Sequence, residues 1–264
     1  MPEPSDHTEA VEQLPRALQT LWGLGERARP GPKPGLSLER ILERGIAIAD
    51  AEGLDALSMS RLAKDLGFTT MSLYRYVSSK DELLTLLVDT ATGPAPVIGP
   101  EVVGWRNRLA AWVDAQMKGL AVHPWIVQLP ITGAPLTPHT LEWVDQGLAM
   151  LAGIGLSEFE KVAVIGLIAG NVRHETLLRA DITRAITDAA ARGVPRTPDD
   201  VLLGRLVAPE RFPALAATIA AGAWSDEQDP DNDFDFGVQR ILDGVEALVA
   251  TRSPTGAQAV PPAT

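Results

Sequence analysis

The sequence predicts an all-α protein, with an N-terminal three-helix domain built on a helix-turn-helix and a second, larger helical domain. Three observations carry this. Apolar residues recur at helical spacing in segment after segment, while Val, Ile and Thr alternate over no long run. Glycine, proline and capping residues fall between those segments. The stretch Ser58 to Lys80, SMSRLAKDLGFTTMSLYRYVSSK, has the residue types a helix-turn-helix needs at each position.

In chain order, residues 1–36 read as an N-terminal extension, expected to be flexible. Val11, Leu14, Leu18, Leu21 and Trp22 suit a short amphipathic helix interrupted by Pro15, and RARPGPKPG from Arg27 to Gly35 is a linker that cannot hold regular structure. Arg27, Arg29 and Lys33 make that linker a basic arm. A first helix spans about Leu38–Glu52, with Ser37 as N-cap, Glu39 in the first turn and Gly53 as the stop. A second runs from after Ser58 to Leu66, and a third from Thr70 to Val77. A fourth opens on Ser79-Lys80-Asp81-Glu82, a capping box in which Ser79 and Glu82 satisfy each other's backbone N–H groups.

Gly93 to Pro100 ends the first domain, 37–90. The second domain, 91–252, is expected to hold helices over about Val103–Ala121, a short one after Pro124, and one from Thr137-Pro138 to Gly153 or Gly155. A further helix runs from the capping box at Ser157 to about Ala190. Residues 193–209 read as loop, and helices come after it over Leu215–Gly222 and Phe234–Ala250. Residues 253–264 form a tail expected to be disordered.

Composition narrows the function. Apolar residues make up 45%, enough for a full-sized core. The chain has no cysteine, which excludes disulfides, thiolate zinc sites and a cysteine nucleophile. Its four histidines show no ligand spacing, and the acidic run Ser225 to Asp235 has Phe234 and Arg240 where a calcium loop needs glycine and glutamate, so no metal is expected. No nucleophile-base order, P-loop or dinucleotide fingerprint is present, so neither an enzyme nor a cofactor is expected. The N-terminus lacks a signal pattern, and no stretch approaches the roughly 18 apolar residues of a membrane span, so a cytoplasmic protein is expected. The net charge of −11 excludes a chain that coats nucleic acid everywhere. Between positions 27 and 82, however, nine cations meet eight acids, so the acidity lies elsewhere.

Within the helix-turn-helix, Ala63 is the small residue where two helices cross, and Gly67 supplies the turn. Leu62, Leu66, Phe68, Leu73 and Val77 pin the second helix to the first. That leaves Thr69, Thr70, Met71, Ser72, Arg75 and Tyr76 on an outward face. Arg75 suits a bidentate contact to guanine, Thr70 or Met71 a thymine methyl, and Lys80 a phosphate.

Residues 36–90 resemble the DNA-binding domain of the TetR family of bacterial transcriptional regulators. The resemblance lies in Ala47, Ala51, Gly53, Leu54, Leu57, Ser58, Leu62, Ala63, Leu66, Gly67, Leu73, Tyr74, Val77, Lys80, Leu83 and Leu84, and in the string LYRYVSSKDELL. Trp105-Arg106, His123-Pro124-Trp125, Phe236-Gly237 and Leu242-Asp243-Gly244 resemble the tetracycline-repressor branch, as does the linker Gly31 to Gly35. The resemblance implies three DNA-reading helices, a fourth linking helix, and a C-terminal domain for ligand binding and dimerisation. By matching position, Tyr74, Tyr76 and Lys80 are implied phosphate contacts, Ser60 and Arg61 approach the backbone or groove, and Thr70, Met71, Ser72 and Arg75 face bases. Tyr76 departs from the tetracycline repressors, which have histidine there.

The expected function is a regulator, most simply a repressor released from a palindromic operator by a small-molecule effector. Its expected partners are double-stranded operator DNA, a second copy of itself and that effector. The alternative is a helical DNA-associated module without effector response. Candidate effector-pocket residues are Trp105, Trp112, Met117, Trp125, Trp143, Met150, Asn171 and His174. His174-Glu175 suits either the pocket or a dimer interface.

Overall fold

The computed structural model describes residues 14–24, 35–131, 133–193, 197–225 and 230–252, the side chains of 230–235 excepted. The Arg27–Lys33 arm, residues 226–229 of the acidic run and residues 253–264 of the tail lie outside them. The described residues form eleven α-helices and no strand. They are α1 (Arg16–Leu21), α2 (Leu38–Glu52), α3 (Met59–Leu66), α4 (Thr70–Tyr74), α5 (Lys80–Thr92), α6 (Trp105–Val122), α7 (Pro138–Met150), α8 (Glu158–Ala191), α9 (Asp199–Leu206), α10 (Pro213–Ala220) and α11 (Pro230–Ala250), with 3-10 turns at Leu54–Ala56 and Pro124–Gln128. The chain divides into two compact units, one ending at Ile165 and the other beginning at Gly166.

In the first unit, α2 to α5 close around Ile41, Ile48, Leu57, Leu62, Leu73, Val77, Leu83 and Leu87, all essentially excluded from solvent. Local chemistry fixes where each helix begins. Ser37, Ser58, Thr69 and Ser79 are N-caps whose hydroxyls accept from the backbone N–H of Arg40, Arg61, Ser72 and Glu82. At Ser79 the box is only half as expected: the Glu82 carboxylate reaches one residue further and accepts from the Ser78 N–H and hydroxyl. The Ser157 box is reciprocal, with Glu160 accepting from the Ser157 N–H at 2.8 Å.

Gly67 closes α3 in the left-handed conformation at φ 77°, ψ 26°, as the tight turn requires. Gly45 serves a different purpose: a Cβ there would come within 2.9 Å of Leu87, so glycine lets α2 and α5 approach closely.

Several boundaries differ from the pattern. The third helix ends at Tyr74 rather than Val77, because Tyr76 N–H bonds to Leu73 O in a tightened i→i+3 turn that drops Val77 into the core. α9 occupies part of the stretch read as loop; it buries no residue, so no apolar stripe marked it. α7 stops at Met150, and Gly153 and Gly155 take positive φ beyond it. In the N-terminal extension, α1 begins directly after Pro15, and Ala17 and Leu18 are buried as α1 packs on α5. Trp22 donates its indole N–H to Leu136 O at 2.9 Å.

In the second unit, Ile168, Val172 and Thr176 of α8 and Val238, Leu242 and Val245 of α11 are buried. The two helices approach closely where a Cβ on Gly237 would lie 2.9 Å from Asn171 Oδ1.

Candidate nucleic-acid interface and ligand seam

Recognition begins at α4. Thr69 caps it, and its hydroxyl lies 3.0 Å from that of Ser72. These two residues therefore hold the helix start as well as standing on its outward side. Leu73 faces inward and is fully buried, while Met71 is 75% and Tyr74 42% exposed. Arg75 and Lys80 are exposed, and among the described residues neither has an ion-pair partner. Thr70 is half-buried at the edge of the same face. An exposed cation without a carboxylate partner is what a phosphate or a guanine edge needs.

Other expected contacts are committed within the protein. Arg61 donates to Glu52 at 2.8 Å and to Asp65 at 3.1 Å. Hydrogen bonding to Glu52, then to Asp65, raises the guanidinium's already high pKa. Asp65 also accepts from Arg44, and that bond holds its carboxyl below the usual carboxylate range. Arg61 thus ties α3 to α2. Ser60 is exposed, its hydroxyl 3.2 Å from that of Ser58. Tyr76 is half-buried and donates its hydroxyl to Leu36 O at 2.8 Å, anchoring the chain before α2 to the end of the recognition turn.

Two acid-centred junctions, unforeseen in the sequence, join these helices to residues later in the chain. Asp50 Oδ1 of α2 accepts from Trp125 Nε1 at 2.7 Å and lies 2.8 Å from His123 Nδ1. Asp89 of α5, nearly fully buried, accepts the His139 backbone N–H at 2.9 Å, an orphan donor at the start of α7. Their only sequence signal was an aspartate next to buried apolar residues.

The pocket candidates separate. Trp125, 1% exposed, belongs to the core of the DNA-reading helices. Trp112 and Trp143 meet, their rings 6.2 Å apart and tilted by 52°. Met150 is buried, and Trp105 and Met117 are half-buried on α6. Asn171 and His174 lie on α8 in the second unit; Asn171 is half-buried, whereas His174 is exposed along with Leu167 and Leu178.

Four side-chain atoms in these helices are buried without a hydrogen-bond partner among the described residues: Trp112 Nε1, Gln116 Nε2, Gln146 Oε1 and Asn171 Nδ2. Each such group costs about 1–3 kcal/mol. Among the described residues no three His, Asp or Glu side chains converge as metal ligands, and no helix is long and apolar enough to cross a membrane.

A capped recognition helix, a glycine turn and an outward edge with unpaired cations define a helix-turn-helix DNA-binding protein. Known proteins make this specific. The profile of bacterial regulatory proteins of the tetR family matches residues 41–87, and the tetracyclin repressor-like C-terminal domain matches residues 99–249. The chain is 37% identical over 259 residues to the HTH-type transcriptional repressor DrrR1 of Streptomyces coeruleorubidus, covering 94% of this chain and 91% of that protein. The structure of ActR from Streptomyces coelicolor in complex with actinorhodin superposes with a TM-score of 0.66 at 26% identity, covering 80% of this chain and 96% of that one. ActR in complex with (S)-DNPA gives 0.66 at 27% identity over 81% and 99%. The chain belongs to the TetR family: it is a DNA-binding transcriptional regulator and not an enzyme.

Proposed function

We propose that the chain acts as a homodimeric repressor on a palindromic operator and that a small molecule releases it. The observation that carries this reading is the α4 edge, where Met71, Tyr74 and Arg75 stand exposed above a fully buried Leu73. So short a helix reads only a few base pairs, and a two-fold dimer doubles the contacts. The exposed Leu167 and Leu178 of α8, three turns apart on one face, supply an apolar surface for the second copy, and the exposed His174 between them fits that interface better than a pocket. Arg75 reads a base edge, Lys80 and Tyr74 meet phosphates, and Met71 packs on a thymine methyl. Ser60, Thr69, Thr70 and Ser72 border the contact, while Arg61 and Tyr76 hold the helices in place. Repressor action is supported by the name of the 37% identical relative, and response to a small molecule by the ActR complex with actinorhodin.

Selection of bound duplexes from a random DNA library at two salt concentrations tests the reading. One palindrome, with half-sites about one helical turn apart, is expected. Recovery of no motif, with binding that disappears as salt rises, would replace it with sequence-blind association.

A further inference from the structure

The helix α1 stands ahead of the DNA-reading helices in sequence, yet it is built into them. With six residues and no side-chain cap, it is too short to hold helical form alone. Packing on α5 holds it. Ala17 lies in the core that contains Leu73 and Val77, Leu18 is buried, and Leu21 packs against the same core. The two ends of α1 are tied to different places. At its start, Arg16 Nε lies 3.5 Å from Glu82 Oε1. Just past its end, Trp22 Nε1 donates to Leu136 O at 2.9 Å, two residues before α7.

Glu82 connects α1 to the recognition turn. Its side chain is 5% exposed and reaches back from α5 across the turn that follows α4. One oxygen, Oε2, accepts the Ser78 N–H at 2.6 Å and the Ser78 hydroxyl. That turn carries Arg75 on one side and Lys80 on the other. The other oxygen, Oε1, is buried without a hydrogen-bond partner among the described residues, and the Arg16 guanidinium is the charge beside it. A buried carboxylate left with neither a hydrogen bond nor a countercharge on one oxygen is costly. Without Arg16, the carboxylate would turn toward water and release Ser78.

We propose that Arg16 is a positioning residue for operator binding. It keeps the Glu82 carboxylate turned in on Ser78, and so holds Arg75 and Lys80 at the spacing the DNA contact needs. α1 acts as a strap over α5, with Trp22 fixing its far end. This rests on the reading of the α4 edge as the DNA contact. Arg16 faces Glu82 and has no phosphate to meet.

The test uses the full chain and the palindromic duplex recovered by selection, with affinity measured over a range of salt. Arg16→Gln should weaken binding by about tenfold. The slope of log affinity against log salt should stay unchanged, because no phosphate contact is lost. Arg16→Lys should restore most of the affinity. In a Glu82→Gln background, the amide keeps an oxygen for Ser78 and has no charge to balance, so Arg16→Gln should cause no further loss. Hydrogen exchange of the free protein reads the turn without DNA: exchange at the Ser78 amide should speed up in Arg16→Gln, and less so in Trp22→Phe, which loses only the bond to Leu136. Three results would overturn the proposal. They are parent-like binding by Arg16→Gln, an equal loss in the Glu82→Gln background, and a salt slope lower by about one, which would make Arg16 itself a phosphate contact. If selection recovers no operator, the α4-edge reading falls, and exchange at Ser78 decides the strap: faster in Arg16→Gln keeps it, unchanged removes it.

Discussion

The DNA-reading helices and the α6–α7 pair are both helical packings of the same chain, yet they treat polar groups in opposite ways. In the first, four hydroxyl N-caps each accept a backbone N–H, and Arg44, Arg61, Glu52 and Asp65 are paired among themselves. Even Glu82, with one oxygen lacking a hydrogen bond, has Arg16 at 3.5 Å. In the second, neither N-cap residue, Gly104 of α6 or Thr137 of α7, bonds the helix backbone through a side chain, Asp89 alone serving the start of α7, and three buried polar atoms face no partner among the described residues. The difference teaches that the reading helices meet nearly all of their hydrogen-bonding capacity within themselves, whereas the α6–α7 seam leaves part of its own unmet.

Substitutions can break or sharpen that contrast. Leu73→Ala in the reading helices should cost about 2–5 kcal/mol in denaturant unfolding, because Leu73 is fully enclosed and its loss leaves a cavity. A cost under about 1 kcal/mol would show these helices to be as loosely finished as the seam. Arg75→Ala should leave unfolding unchanged and weaken operator binding by about 1–3 kcal/mol, with selectivity relaxed at one base pair. Unchanged affinity and selectivity would remove Arg75 from base reading.

Gln116→Leu is the sharpest test of the seam. Removing a buried unmet amide should leave stability unchanged or raise it by about 1 kcal/mol. Destabilisation of that size would mean that the amide is satisfied in solution and that the two regions are alike. Ser58→Ala should lower stability by about 1 kcal/mol through loss of the α3 cap, measured by thermal unfolding.

The smallest effect concerns pH. Asp65 has a folded pKa below its unfolded one, with Arg44 as the leading cause. Its stabilisation is therefore complete above the ordinary carboxylate pKa and is lost as pH falls through the folded value. Asp65→Asn should flatten the acid limb of the stability curve by a small amount, since the pair is open to solvent. An unchanged acid limb would show that Arg44 and Arg61 do not hold that carboxylate in solution.

The reading helices were legible because their determinants are local. A cap hydroxyl, a glycine at Gly67 and an apolar residue at Leu62 or Leu73 act within a few positions of the structure they specify. The outward α4 edge comes from the same periodicity. Less was legible where a helix has no buried stripe, as in α9, or where a helix end is tightened by an i→i+3 bond, as at Tyr76. The site beyond α4 was less legible still. Arg61 and Tyr76 look like DNA contacts in a sequence, and only their partners Glu52, Asp65 and Leu36 show them engaged inside the protein. Trp125 and Trp143 are equivalent tryptophans on paper, but one meets Asp50 and the other the Trp112 ring.

By itself, then, the sequence determined the helical class, the helix starts at the caps Ser37, Ser58, Thr69 and Ser79, the turn at Gly67 and the outward edge of α4, because each depends on residues a turn or two apart. The tertiary structure alone decided which cations stay unpaired, which aspartates join α2 and α5 to the later helices, and which tryptophan N–H finds no acceptor. Those outcomes depend on partners that are 50 positions apart at Asp89–His139, Gly93–Trp143 and Pro96–Gln146, and on which of them packing brings within hydrogen-bond reach.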